Sequence, residues 1–167
     1  MRSNGSAYVS AVLAVLAAYF AYQWWFNPHR VIKRQLGEVA AVLSAPAGEQ
    51  DVARLARLAR LRQYLAESVR VHLGRSGPDI ASRDAVLAAL ASQPPAPGGL
   101  DVRFVDVEVT VDSAGAGRAY LTADLASRDS ETGRSTLDTR DAALTLADLD
   151  GAWLITEVDV KDLPQRP

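Results

Sequence analysis

VRFVDVEVTVDSAGAGRAYLTADLASRDSETGRSTLDTRDAALTLADLDGAWLITEVDV, residues Val102–Val160, is the stretch whose reading decides the fold. Val105, Val107, Val109 and Val111 alternate with Asp106, Glu108 and Thr110, the two-residue period of a strand with one wet face. Val102 and Phe104 fall on the opposite phase, so a β-bulge is expected near Arg103–Asp106. Asp112 to Gly117 reads as a turn. A second strand then spans Arg118–Ala126, with Ala119, Leu121, Ala123 and Leu125 on one face and Tyr120, Thr122 and Asp124 on the other. A third strand is expected over Arg134–Ala147, with Asp150-Gly151 as a hairpin signal. A fourth follows at Trp153–Val160.

Upstream, the pattern turns helical. Apolar residues at 32, 36, 39, 40 and 43 mark one helix face, ended by the Pro and Gly of residues 44–48. A second helix begins near Asp51 and carries Arg54, Arg57 and Arg60. Its wheel places Val52, Leu55, Leu58, Ala59, Leu61, Leu65, Ala66 and Val69 in one half, which is expected to dock on the core. Arg62 falls inside that arc, its stem expected along the core edge. Nucleic acid is not expected as a partner, because no groove-reading motif accompanies the arginines. Residues 69–73 alternate as a short strand. Ser82 is placed to cap a helix over Arg83–Ala91, with Asp84 in its first turn.

The net charge of −2 conceals an asymmetry. Residues 1–76 carry ten Lys and Arg against four acids, and residues 77–167 carry eight against sixteen. This fits a basic helical layer on an acidic sheet; the alternative is a basic face near the membrane, held by anionic lipid headgroups. The chain has no cysteine and only two histidines, His29 and His72. Disulfides and thiolate zinc sites are thereby excluded, and no metal or cofactor is expected. His72 reads as a surface residue.

Tyr8 to Phe26 holds no charge and is crowded with aromatics at its end. Its length matches a membrane-crossing helix, and its bulky exit does not suit signal-peptide cleavage. The expectation is an anchor domain over residues 1–29, with the helix over 8–26 in the lipid bilayer. A domain over 30–162 and a tail over 163–167 follow. The location expected is single-pass, in a bacterial inner membrane. The charges after the segment favour a cytoplasmic domain by the positive-inside rule. Ser6, Ser10, Ala14 and Ala18 place small residues on one helix face, a pattern compatible with a homo-oligomer.

The order is α+β: helices first, then strands ending LADLDGAWLI, residues 146–155. It resembles the nuclear transport factor 2-like superfamily, also called SnoaL-like or cystatin-like, over about residues 30–162. The final Asp-Gly hairpin before Trp153 and Ile155 is the most specific part of the likeness. The resemblance implies a cone-shaped domain with helices packed on a curved antiparallel sheet. For anchored members it implies a domain outside the cytoplasm, against the charge count. It also implies that a ligand would sit inside the cone, where Tyr64, Tyr120, Asp124 and Trp153 are the candidate ligand-binding residues. None of them falls in a matched catalytic motif. The expected function is a membrane-anchored, non-catalytic module that binds or assembles with a protein or small molecule. The alternative is an acid–base enzyme of the ketosteroid isomerase or polyketide cyclase type acting on a small apolar ligand. That alternative requires Asp124 or Glu108 inside the cone beside a tyrosine; a cone filled by Leu and Trp would argue against it.

Overall fold

The structure, a computed structural model, describes residues 12–19, 27–74, 77–129 and 132–161. Residues 12–19 form a helix, α1, whose side chains are exposed. Four further helical segments and six strands follow. They are α2 (Pro28–Leu43), α3 (Asp51–Leu61), a 3-10 turn (Arg62–Tyr64), β1 (Leu65–Leu73), β2 (Asp79–Ile80), α4 (Arg83–Ser92), β3 (Leu100–Val111), β4 (Ala116–Arg128), β5 (Ser135–Leu149) and β6 (Ala152–Lys161).

The strands form one sheet in the order β2-β1-β6-β5-β4-β3. Neighbours are antiparallel except β1 and β6, which run parallel. The sheet is therefore mixed, not the antiparallel sheet expected. The cause is connectivity: β1 is separated from β6 by the whole of α4 and β3–β5, so no hairpin dictates their relative direction. β1 also starts earlier than the expected 69–73, because the chain leaves its helix at Tyr64.

The hairpins behave as their turn residues require. Asp150 and Gly151 both have positive φ, 56° and 81°, as the tight β5–β6 hairpin between Leu149 and Ala152 needs. The expected bulge is present: pairing of β3 with β4 slips between Val105 and Glu108, and Asp106 sits at φ 51°. The slip resolves the phase conflict in the sequence. Phe104 packs on the core before it, and Val107, Val109 and Val111 do so after it. Val105, whose alternation puts it with Val107 on the dry face, instead pairs with Thr122 and is exposed.

One face of the sheet carries the helices. Ile32, Leu36 and Val39 of α2 bury against Ala119 and Leu121 of β4, Leu144 and Leu146 of β5, and Trp153 and Ile155 of β6. A Cβ on Gly117 would lie 3.0 Å from Ile32 Cδ1 and 3.2 Å from the Trp153 ring. Glycine there lets α2 come close to the sheet.

α2 also closes the sheet edge. His29 Nδ1 lies 2.9 Å from the Val109 carbonyl oxygen near one end of β3. At the other end the Val102 amide donates to Ser44 Oγ at 2.9 Å, and Ala45 exchanges backbone bonds with Leu100. Such partners blunt an edge that would otherwise template pairing with another chain.

α3 departs from its expected facing. Leu58 and Leu61 are buried as expected, but Val52, Leu55 and Ala59 are exposed, while Arg54 and Arg57 turn inward. Arg57 donates to the Val42 and Leu43 carbonyls at the end of α2 and forms a two-bond pair with Glu49 at 2.8 and 2.9 Å. Arg54 donates to the Leu90, Ala91 and Gln93 carbonyls at the end of α4. The last turn of a helix exposes unpaired carbonyls at its negative pole, and a guanidinium satisfies both needs. Arg54 and Arg57 thus face the neighbouring helix ends, half-buried, and the helix is turned to place them. Arg62, expected along the core edge, is exposed and pairs with Asp84 at 2.9 Å. Leu65, Ala66 and Val69 are buried, but as residues of β1.

The membrane anchor is not carried by the structure. Among the described residues no helix is long and apolar enough to cross a membrane. The described part of 8–26 is the eight-residue α1, about 12 Å at 1.5 Å per residue, against a hydrocarbon core of about 30 Å. Residues 8–11 and 20–26 lie outside the described residues, as do Ser6, Ser10 and the tail over 163–167. The expectations of a transmembrane segment, a bilayer partner, a single-pass inner-membrane location and a signal-anchor are corrected accordingly.

Candidate functional site

The four candidate residues do not come together. Trp153 is on the helix-facing side of β6, 9 % exposed and packed in the core. Tyr64 ends the 3-10 turn, and its hydroxyl donates to Glu38 of α2 at 3.0 Å. Burial pushes the Tyr64 phenol above its ordinary range, and the bond to Glu38 adds to the rise. Tyr120 and Asp124 lie on the other face of the sheet. In β4 they alternate with Ala119 and Leu121, which point into the core. Asp124 accepts from the Thr139 hydroxyl at 2.9 Å, its cross-strand partner on β5.

The helix-covered side holds no polar chemistry at its centre. Leu146, Val69 and Ile32 are each 0 % exposed, and no charged or polar residue is buried among the described residues. The room in which a cone-type enzyme would hold its substrate is filled by Leu121, Leu144, Leu146 and Trp153 beneath α2. Asp124 and Glu108, the carboxylates an acid–base mechanism would draw on, stand outside it.

The titratable groups converge on the open face instead. Asp106, Glu108, Tyr120, Thr122, Asp141 and Lys161 line a shallow cleft of about 220 Å³. The registers explain the grouping: Glu108 pairs with Tyr120, Thr122 with Asp141, and Asp141 with Lys161. The Thr122 hydroxyl donates to Asp141 at 3.0 Å, which turns that carboxylate toward β4. Tyr120 stands 48 % exposed between these acids. The bulge brings Asp106 into the group, in a backbone conformation that is uncommon for a residue with a side chain. Two-residue alternation in β4 and β5 predicts the Thr122–Asp141 face, whereas the part of Asp106 depends on the bulge and Lys161 on the β5–β6 register.

The same face continues over β1 and β2. His72 Nδ1 lies 2.8 Å from Asp79 on β2, and Nε2 lies 3.5 Å from Glu157 on β6. The bond to Asp79 holds the imidazole above its ordinary value, against the opposing effect of desolvation, with the charges of Asp79, Glu157 and Asp159 adding to the rise. A second cleft of about 610 Å³ lies where the α2–α3 turn meets the ends of β3 and β4. Its walls are mainly small residues and backbone, among them Ser44, Gly99 and Ser127. Its acid, Asp101, already pairs with Arg103 at 2.8 Å. Among the described residues no group of His, Asp or Glu is placed to hold a metal ion.

This six-stranded sheet with helices on one face is matched by solved structures. An NTF2-like protein with a cystatin-like fold from Novosphingobium aromaticivorans superposes with a TM-score of 0.66 at 14% identity, over 88% of this chain and 90% of that one. The fold is NTF2-like. A candidate scytalone dehydratase from the same organism matches with a TM-score of 0.64 at 13% identity, over 81% and 83% of the two chains. The association domain of C. elegans CaMKII matches at 0.51 and 11% identity, over 68% and 94%. No protein-family model matches the sequence, and no curated protein matches it. At such identities the NTF2-like likeness concerns the fold, which hosts unrelated functions.

Proposed function

We propose that this NTF2-like domain is a non-catalytic binding or assembly module that works through the open face of its sheet. Tyr120 is the centre of the contact, and the chemistry favours a basic polypeptide segment. The observation that carries the reading is the division between the two faces. The enclosed side is filled with aliphatic side chains and Trp153, and Asp106, Glu108, Asp124 and Asp141 stand on the other. Tyr120, paired with Glu108 and sharing its cleft with Asp106 and Asp141, offers a flat apolar surface with a polar tip, suited to the stem of a Lys or Arg whose charge meets the acids. Rim charges of this sort steer association and give it salt dependence. Of the ligand-binding residues expected from sequence, Tyr120 and Asp124 enter this proposal; Tyr64 and Trp153 serve packing.

The test is fluorescence anisotropy of a labelled oligolysine peptide, with an oligoglutamate control, across a salt series. Saturable binding that weakens with salt and falls about tenfold in Tyr120→Ala is expected. Binding unchanged by Tyr120→Ala combined with Asp141→Asn would overturn the reading. So would saturable uptake of a small apolar ligand that perturbs Leu121 and Leu146.

A further inference from the structure

α3 turns Arg54 and Arg57, half-buried, toward the neighbouring helix ends and leaves an apolar stripe outside. Val52 is 78 % and Leu55 66 % exposed, and Ala56 and Ala59 lie beside them in the open. The spacing 52, 55, 56, 59 is that of a core-facing helix stripe, here without a core. The geometry points to α3 as a self-pairing surface, covered by α3 of a second copy of this chain running antiparallel about a two-fold axis.

Three features favour that occupant. At 100° per residue, an axis level with the midpoint between Leu55 and Ala56 sets each Val52 against the partner copy's Ala59, large against small. Leu55 then meets Leu55 of the second copy directly across the axis. Finally, Asp51 falls on the same side and at nearly the same height as Arg62 of the second copy, whose guanidinium already lies at the surface beside Asp84. An isologous pairing repeats each of these contacts twice. The helix is only eleven residues long. Its contact area is therefore below the roughly 800 Å² per partner of a stable interface, and the dimer is reversible and concentration-dependent.

The absence of cysteine gives a clean test on the full chain. Leu55→Cys should form a symmetric disulfide dimer under mild oxidation, at least tenfold faster than Ala88→Cys on α4. In sedimentation velocity the unmodified chain should shift from monomer toward dimer as concentration rises. Leu55→Asp, at an exposed position, should keep its circular dichroism and melting temperature but remain monomeric. Equal crosslinking of the two cysteine variants would overturn the inference. So would a monomer at every concentration, or a dimer that survives Leu55→Asp.

Discussion

The two faces of the sheet use the same strands to opposite ends. On β4, Ala119 and Leu121 disappear under α2, while Tyr120, Thr122 and Asp124, one residue out of step, meet solvent with their hydroxyls and carboxylate. On β5, Leu144 and Leu146 alternate with Ala143 and Thr145 in the same manner. The covered side is small near the helix, with Gly117 and Ala119 giving α2 room, and large around it. The lesson is one of allocation. The covered face packs the core, and on the function proposed above recognition falls to the other.

The sharpest way to break this contrast is to truncate one residue on each side. Leu146→Ala removes a side chain with no exposure and should cost about 2–5 kcal/mol in denaturant unfolding. Tyr120→Ala, half exposed, should cost under about 1 kcal/mol while reducing partner binding. Equal losses would mean that the open face is also structural.

Next in size is the arginine that joins α2 to α3. The Glu49 side chain is 5 % exposed and is held below its ordinary carboxylate range, first by its hydrogen bonds from Arg57. Arg57→Ala removes those bonds and the cap on α2, with an expected loss of about 2–3 kcal/mol. The sign follows from the lowered folded-state value. The contribution is complete above about pH 4.5, the ordinary value, and is lost as pH falls through the lower folded-state value. Wild-type stability should therefore fall on the acid side more steeply than that of Arg57→Ala, as thermal melts between pH 3 and 6 would record.

The smallest effect concerns the edge of the open face. His72 has a raised folded-state value, so its bond to Asp79 contributes fully below about pH 6.5 and fades as pH rises through the raised value. Arg70 on β1 and Glu157 and Asp159 on β6 share that surface by register. Amide exchange at Val71 and Ile80 should quicken as pH is raised beyond the intrinsic base-catalysed trend, and His72→Gln should abolish the excess.

Much of the fold could be read in advance where the determinant was local. The stripe of Ile32, Leu36, Val39 and Ala40 buried as its spacing required. Ser82 capped its helix by accepting from the Ala85 amide. The phase change between Phe104 and Val107 announced the bulge. What escaped was tertiary. Nothing near Arg54 or Arg57 reveals that the carbonyls they satisfy belong to helix ends at Leu90–Gln93 and Val42–Leu43. The same rotation turned Val52 and Leu55 outward. Tyr120 and Asp124 were legible as outward by parity with Leu121, yet likeness to cone-type enzymes placed them in a cavity. Parity was the better guide, because a one-residue offset in a strand reverses the face. For residues 8–26, composition described an apolar string, and among the described residues no helix is long and apolar enough to cross a membrane.

On the function proposed above, recognition belongs to the open face and packing to the covered one. The direct measurement is a nuclear magnetic resonance titration of the full chain with an oligolysine peptide, following backbone amides and methyl groups together. Shifts confined to Glu108, Tyr120, Asp141 and Lys161, with the methyls of Leu121, Leu144 and Leu146 unmoved, are the predicted result. Shifts centred on those methyls and on the Trp153 indole, with the open face silent, would contradict it.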